Sequence, residues 1–130
     1  MKYIFLLLLG LLMTSCLDEE LPELGTTVLE RLDGPSISGG SARFEDYSTN
    51  QVNAYVSFST FYSQLEPDAR VLVESLIVIK PDRTFTLDPD RRSFFDGQIR
   101  RNRERCYSLY FVLVSGERLD THTFCITTPE

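Results

Sequence analysis

The side chains with the clearest capacity to bind a ligand are six arginines in one short stretch: Arg91, Arg92, Arg100, Arg101, Arg103 and Arg105. Each guanidinium presents a planar fork of donors that suits carboxylate or phosphate oxygens. Asp96-Gly97 lies between them, and such a pair flanked by apolar residues predicts a two-residue hairpin turn with Phe94 opposite Ile99. The hairpin would gather the arginines at one end of the domain, as a docking site for an acidic protein, an anionic glycan or lipid phosphates. The alternative is a solvated hairpin whose arginines pair with the domain's own acids.

Carboxylates near predicted turns form a second candidate set: Asp82, Asp88, Asp90, Asp96 and Glu104. Two of them could converge as a calcium site or as the acid pair of a glycosidase. Their spacing matches neither the EF-hand loop nor another motif, and Asp is common in turns because its side chain bonds nearby backbone amides. We therefore predict turn formers, with no catalytic residue, no metal site and no cofactor.

His122 is the only histidine, and it lies beside Phe124 on a predicted strand. A single histidine among apolar positions is more typical of a structural residue than of a catalyst. Cys125 falls on the opposite face of that strand, so a Cys-His nucleophile is not expected. Phe94 and Phe95, next to the arginines, either anchor the core or form exposed contacts that would stack on a sugar.

The elements that must position these side chains are strands. From Gln51 onward, apolar Val52, Ala54, Val56 and Phe58 alternate with polar residues, which is the period of a half-buried strand. Residues 71–79 are rich in β-branched side chains and predict a buried central strand, with a short partner at 84–87. Residues 36–44 contain Gly39-Gly40 and predict an irregular edge strand with a bulge.

The strongest strand signal is at residues 107–114, with residues 119–127 as its partner. If Ser115-Gly116 is a two-residue turn, residues whose numbers sum to 231 face each other, and Cys106 then lies opposite Cys125. In an exported chain such a pair predicts a disulfide. Counting from the turn makes it a hydrogen-bonded pair, with Cα atoms about 5.5 Å apart, which is within disulfide range. The Cβ separation of such pairs tends to exceed the roughly 3.8 Å of a disulfide, so we expect a strained bond or a bulge that shifts the register. The alternative is two reduced cysteines in the core.

About seven short strands with turn signals between them, and no helical periodicity, predict an all-β fold that is a single antiparallel β-sandwich. From residue 51 to residue 127 the pattern resembles an immunoglobulin-like or fibronectin-type module. On that resemblance, Tyr107 or Tyr110 would be the tyrosine of the corner before the penultimate strand. The resemblance is one of pattern, because the chain has no Trp and its two cysteines lie on neighbouring strands.

The first residues have the features of an export signal. Lys2 is followed by an apolar run over residues 3–13, which is too short for a transmembrane helix. Met13-Thr14-Ser15-Cys16 then resembles the lipobox of bacterial lipoproteins, which implies cleavage before Cys16 and a diacylglyceryl thioether on its sulfur. The alternative is an ordinary signal peptide with a coincidental cysteine. The predicted divisions are a signal peptide at 1–15, a lipidated cysteine with an acidic tether at 16–33, and a sandwich domain at 34–130.

Charge indicates where the chain acts and which partners it takes. Asp18-Glu19-Glu20 directly follows the cysteine region and resembles the surface-export signal of Bacteroidetes-type lipoproteins, although an acidic spacer explains the same residues. The net charge of the 130-residue chain is −6, which argues against general nucleic-acid binding.

Together these features predict a non-catalytic binding or scaffold lipoprotein. It would be lipid-anchored at the outer membrane or cell surface and would recruit a protein or an anionic glycan. One alternative is a small hydrolase, or an accessory subunit of one, that uses the turn carboxylates. Another is an inhibitor or immunity-type lipoprotein that blocks an incoming protein.

Overall fold

A computed structural model describes residues 35–130, so the predicted signal peptide, the lipidated Cys16 and the tether lie outside the described residues. A 3₁₀ turn at Tyr62–Gln64 and a short helix α1 at Pro67–Arg70 accompany the strands. The strands are β1 (Ile37–Asp46), β2 (Gln51–Thr60), β3 (Val73–Ile79), β4 (Thr84–Leu87), β5 (Ser93–Arg100), β6 (Glu104–Leu113) and β7 (His122–Thr127). Within residues 35–130, no helix is long and apolar enough to cross a membrane.

The strands form two antiparallel sheets that face each other. One sheet has the order β1-β2-β5, and the other has the order β4-β3-β6-β7. Every pairing is antiparallel, which confirms the predicted all-β antiparallel sandwich. Strand β4 pairs with β3, whereas in the immunoglobulin constant-type sandwich the fourth strand joins the sheet of the first, second and fifth strands.

The core is made by alternate residues of the central strands. Fully buried side chains of β2 and β6 are Val52, Ala54, Val56, Tyr107, Leu109 and Phe111. Aromatic rings pack from one sheet to the other, and the Phe94 and Tyr107 ring centroids are 5.2 Å apart in an edge-on arrangement. The period-two alternation of residues 52–58 in the sequence therefore predicted the buried face of β2 correctly.

Strand β5 contradicts the predicted hairpin at Asp96-Gly97. The strand runs without a break through both residues and pairs with β2 on either side of them. Its register shifts between the Val52 and Ala54 partners, because β5 carries one extra residue there. Gln98 takes a φ of 57° at this bulge, and its N–H donates to Asn53 Oδ1 at 3.0 Å.

The bulge also sets which side chains of β5 face the core. Phe94 and Asp96 point inward, and the extra residue then brings Ile99 to the inner face in place of residue 98. Phe94 does not lie opposite Ile99 as predicted, because both belong to one strand. The Asp-Gly pair is thus accommodated by a bulge, since the tertiary contacts of Asp96 hold it inside the sandwich.

The predicted bulge in β1 is confirmed, and it brings the two sheets together at one edge. The register with β2 shifts between Ser38 and Ser41, where Gly39 and Gly40 have φ values of 70° and 144°. A Cβ atom on Gly40 would lie 2.3 Å from the ring of Phe124 in β7. The glycine therefore allows the edge strands of the two sheets to pack directly against each other.

Strands β6 and β7 pair in the predicted register. Their residue numbers sum to 231 throughout, and Cys106 lies opposite Cys125 in a disulfide. Cys106 is half-buried and Cys125 is exposed on the outer face of the sheet, so the alternative of reduced core cysteines is wrong.

The connection between β6 and β7 differs from the predicted two-residue turn. The N–H of Leu113 donates to the carbonyl of Glu117, and Gly116 has a φ of 88° inside this three-residue loop. Val112 bridges Arg118, a pair whose numbers sum to 230, so an extra residue between the turn and the disulfide shifts the register. The Cα atoms of the cysteines are 4.0 Å apart, which fits a non-hydrogen-bonded pair at about 4.5 Å instead of the predicted 5.5 Å.

The sandwich has two ends, which matter for the candidate site. At the entry end, where the described chain begins, Ile37 pairs with Thr60 and the loop before β5 lies close by. At the distal end, Gln51 pairs with Arg100, and the residues after β7 bond to the β5–β6 connection. The β1–β2, β3–β4 and β5–β6 turns all lie at this distal end.

Gly40→Ala is expected to destabilise the domain more than Gly39→Ala. Both positions have a left-handed φ, which costs an L residue about 1–2 kcal/mol. Only at position 40 would the added methyl group also collide with Phe124, since nothing lies within 4 Å of position 39. Urea unfolding followed by circular dichroism measures the difference, and equal midpoints for the two variants would contradict the proposed edge contact.

Candidate functional site

The six arginines do not gather at one end. Arg91 and Arg92 precede β5 at the entry end, whereas Arg100 and the residues after it lie at the distal end. An eight-residue strand separates the two groups by about 23 Å. The predicted single cluster is therefore wrong, because β5 is continuous where a hairpin was expected.

Arg105 is directed into the sandwich and not toward solvent. Its Nε donates to Asp96 Oδ2, and its Nη2 donates to Asp82 Oδ1 at 2.8 Å. The alternation of β6 places Arg105 on the same inner face as Tyr107. This guanidinium is already engaged by two carboxylates.

Arg101 holds neighbouring loops together. Its guanidinium donates to the carbonyls of Thr49 and Ser48 and to Asp46 Oδ1, the last at 2.6 Å. It also reaches the carbonyl of Glu130 at 3.3 Å. Arg101 therefore ties the β1–β2 turn and the end of the chain to the β5–β6 connection.

Arg100 and Arg103 are exposed, and within residues 35–130 neither guanidinium takes part in a salt bridge. We call residues 100–103 the arginine turn. Shallow grooves lie on both sides of it. One is lined by Ser48, Asn50 and Gln51, and the other by Pro81, Gln98 and Glu104.

The backbone of the arginine turn is held by Thr128, which is 2% exposed. The hydroxyl of Thr128 donates to the carbonyl of Arg100 and accepts the N–H of Arg103, both at 2.8 Å. The N–H of Thr128 returns a 2.8 Å bond to the carbonyl of Arg103. Asn102 has a φ of 54°, and its N–H donates to the carbonyl of Pro129. The two exposed arginines therefore project from a fixed segment of chain.

Below the arginine turn lies a buried polar cluster around Asp96, which is 1% exposed. Lys80 Nζ donates to Asp96 Oδ1 at 2.8 Å, and the hydroxyl of Tyr107 donates to Oδ2 at 2.6 Å. Arg105 contacts both oxygens of the carboxylate. The cluster thus joins β5 of one sheet to β6 and the end of β3 in the other.

Opposing effects set the protonation of this cluster. Burial tends to raise the pKa of Asp96, but hydrogen bonds from Arg105, Lys80 and Tyr107 outweigh it and hold the pKa below its ordinary value. Burial and the bond to Asp96 raise the pKa of Tyr107. Burial also acts to lower the pKa of Arg105, yet the Asp96 carboxylate overcomes this and raises it. Asp96 is therefore ionised, while Tyr107 keeps its proton.

The geometry assigns this cluster a supporting role. Both oxygens of Asp96 are occupied by protein donors, and the carboxylate has almost no contact with solvent. A general acid or base must reach the substrate proton directly or through one water molecule. Tyr107 is not the tyrosine of a corner, because its hydroxyl bonds the Asp96 side chain instead of a nearby backbone group.

Among residues 35–130, one group of possible metal donors is present: Glu104, Cys106 and Cys125. The disulfide uses both sulfur atoms, and a thiolate is the form of cysteine that ligates a metal. In this state the group offers a metal only the Glu104 carboxylate.

His122 makes a structural contact at the edge where β1 meets β7. Its Nε2 lies 2.6 Å from the carbonyl oxygen of Gly39, which can only accept, so Nε2 donates. The imidazole also packs beside the Phe124 ring, with 5.8 Å between centroids. These contacts agree with the structural interpretation of the histidine.

The buried cluster could have been predicted from charged residues that fall at inward positions of two strands. Lys80 continues the inward alternation of Leu76 and Val78 in β3, and Arg105 continues that of Tyr107 in β6. Charged residues at inward positions of two strands require a buried counter-charge. Asp96 supplies it, but the hairpin interpretation placed that residue in a turn.

Asp96→Asn is expected to lower the free energy of unfolding at pH 7 by about 3–5 kcal/mol, because Lys80 and Arg105 keep their charges without a buried carboxylate. The folded-state pKa of Asp96 lies below its unfolded value. Its stabilisation is therefore present above the unfolded pKa of about 3.9 and is lost as the pH falls through the lower folded pKa. Urea unfolding from about pH 7 to about pH 3 measures both effects, and the variant should lose less stability in acid than the wild type.

The matched control is Asp82→Asn. Asp82 also bonds Arg105, but its side chain is 62% exposed, so the expected loss is about 0–1 kcal/mol. If both variants lose the same free energy of unfolding, burial of the Asp96 carboxylate does not increase its contribution to stability.

No protein-family model and no curated protein sequence matches this chain. Sandwiches of this architecture carry many unrelated functions, so the fold alone assigns none. A function for this chain has to be argued from the placement of its own residues, above all those of the arginine turn.

Proposed function

We propose that this chain is a membrane-anchored, non-catalytic binding lipoprotein that recruits an anionic ligand through its arginine turn. The ligand is an acidic segment of a partner protein or an anionic glycan. The observation that carries the proposal is the exposed pair Arg100 and Arg103 on a backbone fixed by Thr128.

The fixed backbone favours binding. A ligand that contacts a preorganised segment avoids the cost of ordering it, and this cost otherwise reduces affinity. Guanidinium groups bond carboxylate, sulfate or phosphate oxygens in pairs, and such charge-assisted bonds contribute about 1.5–3 kcal/mol each. The grooves beside the turn supply neutral hydrogen-bonding side chains, among them Asn50, Gln51 and Gln98.

The position of the turn fits an anchored receptor. The described chain enters the sandwich beside Ile37, and the arginine turn lies at the other end of the strands. The arginine turn and the first described strand residues are therefore at opposite ends of the sandwich. The anchor itself stays a prediction from the lipobox-like sequence.

The hydrolase alternative gains no support from the positions of the turn carboxylates. Asp96 and Asp82 are bound to Arg105, and Asp88 and Asp90 lie in the loop before β5 at the opposite end from Glu104. Of these five residues, only Glu104 lines the groove beside Pro81, and only Asp90 lines the groove beside Tyr62.

Replacement of Arg100 and Arg103 by Glu is expected to weaken binding of a sulfated glycan such as heparin, and of polyglutamate, by at least about tenfold. Arg101 is left intact because it holds the loops. Titration by biolayer interferometry at about 50 mM and about 200 mM salt measures the affinity, and wild-type binding should weaken as salt rises.

The matched control replaces Arg91 and Arg92 by Glu, which changes the charge equally at the entry end. It should leave the affinity within about twofold. The proposal is wrong if both double variants weaken binding to the same extent, or if the wild-type chain binds neither probe. A tight one-to-one complex with a single foreign protein would favour the inhibitor-type alternative.

Cys16→Ala is expected to move the chain from the membrane fraction to the soluble exported fraction, since two or more acyl chains are needed for stable anchoring. Metabolic labelling with a tagged fatty acid should mark the wild-type chain and not the variant. An unlabelled wild-type chain in the cytosol would contradict the anchor while leaving the test of the arginine turn unaffected.

A further inference from the structure

We propose that the outer face of the β1-β2-β5 sheet binds a neutral glycan, with Phe95 as the ring on which a sugar stacks. Three side chains lie in register across this face, one from each strand: Arg43, Tyr55 and Phe95. We call them the aromatic row. It is separate from the arginine turn, so the inference does not depend on the function proposed above.

Phe95 lies on the outer face of the sheet. It is 52% exposed, whereas its neighbour Phe94 is 7% exposed and belongs to the core. A single exposed apolar side chain is ordinary on a protein surface, but Phe95 packs beside the ring of Tyr55, and contiguous exposed apolar surface marks contact sites. Of the two alternatives for this Phe pair, the structure therefore supports core packing for Phe94 and solvent contact for Phe95.

The ring of Phe95 is held in place on the sheet. Its centroid lies 5.4 Å from that of Tyr55, and its edge lies over Gly97. A Cβ atom at position 97 would be 2.8 Å from Phe95 Cε1, so a larger residue there would displace the ring. The absence of a side chain at Gly97 thus lets the ring rest over its own strand.

Polar groups beside the ring are fixed as well. Tyr55 OH donates to Glu45 Oε2 at 3.1 Å, and Arg43 Nη1 donates to Glu45 Oε1 at 3.0 Å. The Arg43 guanidinium also lies 4.6 Å from the centre of the Tyr55 ring. The hydrogen bond to Glu45, followed by burial, raises the pKa of Tyr55, so the phenol stays protonated.

On the other side of the aromatic row, three exposed serines continue across the same strands: Ser41, Ser57 and Ser93. Their small side chains form a flat surface of hydroxyl groups next to the larger side chains of the aromatic row. A sugar has an apolar ring face and a rim of hydroxyl groups, so this juxtaposition of ring, hydroxyls, carboxylate and guanidinium matches both surfaces.

Charge selects the class of glycan. Arg43, the charged member of the aromatic row, is paired with Glu45 on the same strand. The row and this carboxylate are therefore neutral together, which suits a neutral saccharide and distinguishes them from the cationic arginine turn.

The test uses the mature full chain in detergent, run in native gels cast with a neutral polysaccharide. The probes are an α-glucan, a β-glucan, a xylan and a galactomannan. At least one should retard the wild type, and Phe95→Ser should raise the dissociation constant by at least about tenfold. The matched control is Tyr47→Ser, because Tyr47 is 54% exposed but lies in the β1–β2 turn, and it should not change the retardation.

Further variants separate the possible outcomes. If Phe95→Ser loses its β-sheet circular dichroism, Phe95→Leu, which keeps an apolar side chain without a stacking face, decides the result. Reversal of Arg100 and Arg103 should leave retardation by the neutral probes intact. The proposal is overturned if no probe retards the wild type, or if folded Phe95 variants are retarded equally. A dimer that Phe95→Ser dissociates, without retardation by any probe, would assign the face to a second copy of the chain and likewise overturn it.

Discussion

The described structure depends on one buried carboxylate, that of Asp96. Removing this charge from water is costly, and the chain compensates with donors from Lys80, Arg105 and Tyr107. The donors come from the sheet opposite to the carboxylate. The cluster therefore fixes β5 against β3 and β6 with directional bonds, which apolar packing between sheets does not provide. Because an unpaired charge in this position is strongly unfavourable, other alignments of β5 are disfavoured.

This constraint explains the course of β5. Locally, Asp96-Gly97 favours a turn, but a turn would bring the carboxylate to the surface, leave the buried Lys80 without its salt bridge and leave Arg105 with Asp82 alone. The strand instead passes straight through, with one extra residue at the bulge beside Asn53. The bulge keeps Ile99 in the core and leaves Gly97 beneath the Phe95 ring.

Both proposed binding surfaces follow from the continuity of the same strand. A straight β5 separates Arg91 and Arg92 from the arginine turn. The cationic surface at the turn is therefore smaller than a cluster of all six arginines would form. Arg105 lies below the turn and Arg101 within it, and the guanidinium groups of both bond other parts of the protein itself. Their bonds support the exposed pair. The outward positions of β5 meanwhile complete the aromatic row, which needs all three strands of the sheet.

The sequence by itself determined the features that depend on local periodicity. Period-two alternation identified β2 and its buried face, the glycine pair indicated the β1 bulge, and residue counting placed Cys106 opposite Cys125. The predicted export signal and the resemblance of residues 13–16 to a lipobox likewise rest on the linear order of residues. The strand signals can be read from the sequence because the side chains of consecutive residues in a regular strand point to opposite faces of the sheet.

Only the tertiary structure decided the role of each arginine and of Asp96. Whether a guanidinium is exposed, binds a carboxylate or ties two loops depends on residues far away in sequence, such as Thr128 beside the arginine turn. The preference of Asp-Gly for a turn is worth less than the pairing of buried charges, so the long-range interaction prevailed. For the disulfide, the sequence left a strained bond and a register-shifting bulge as alternatives, and the structure has a one-residue shift near the β6–β7 turn, which changes the pair type of the cysteines without changing their partners.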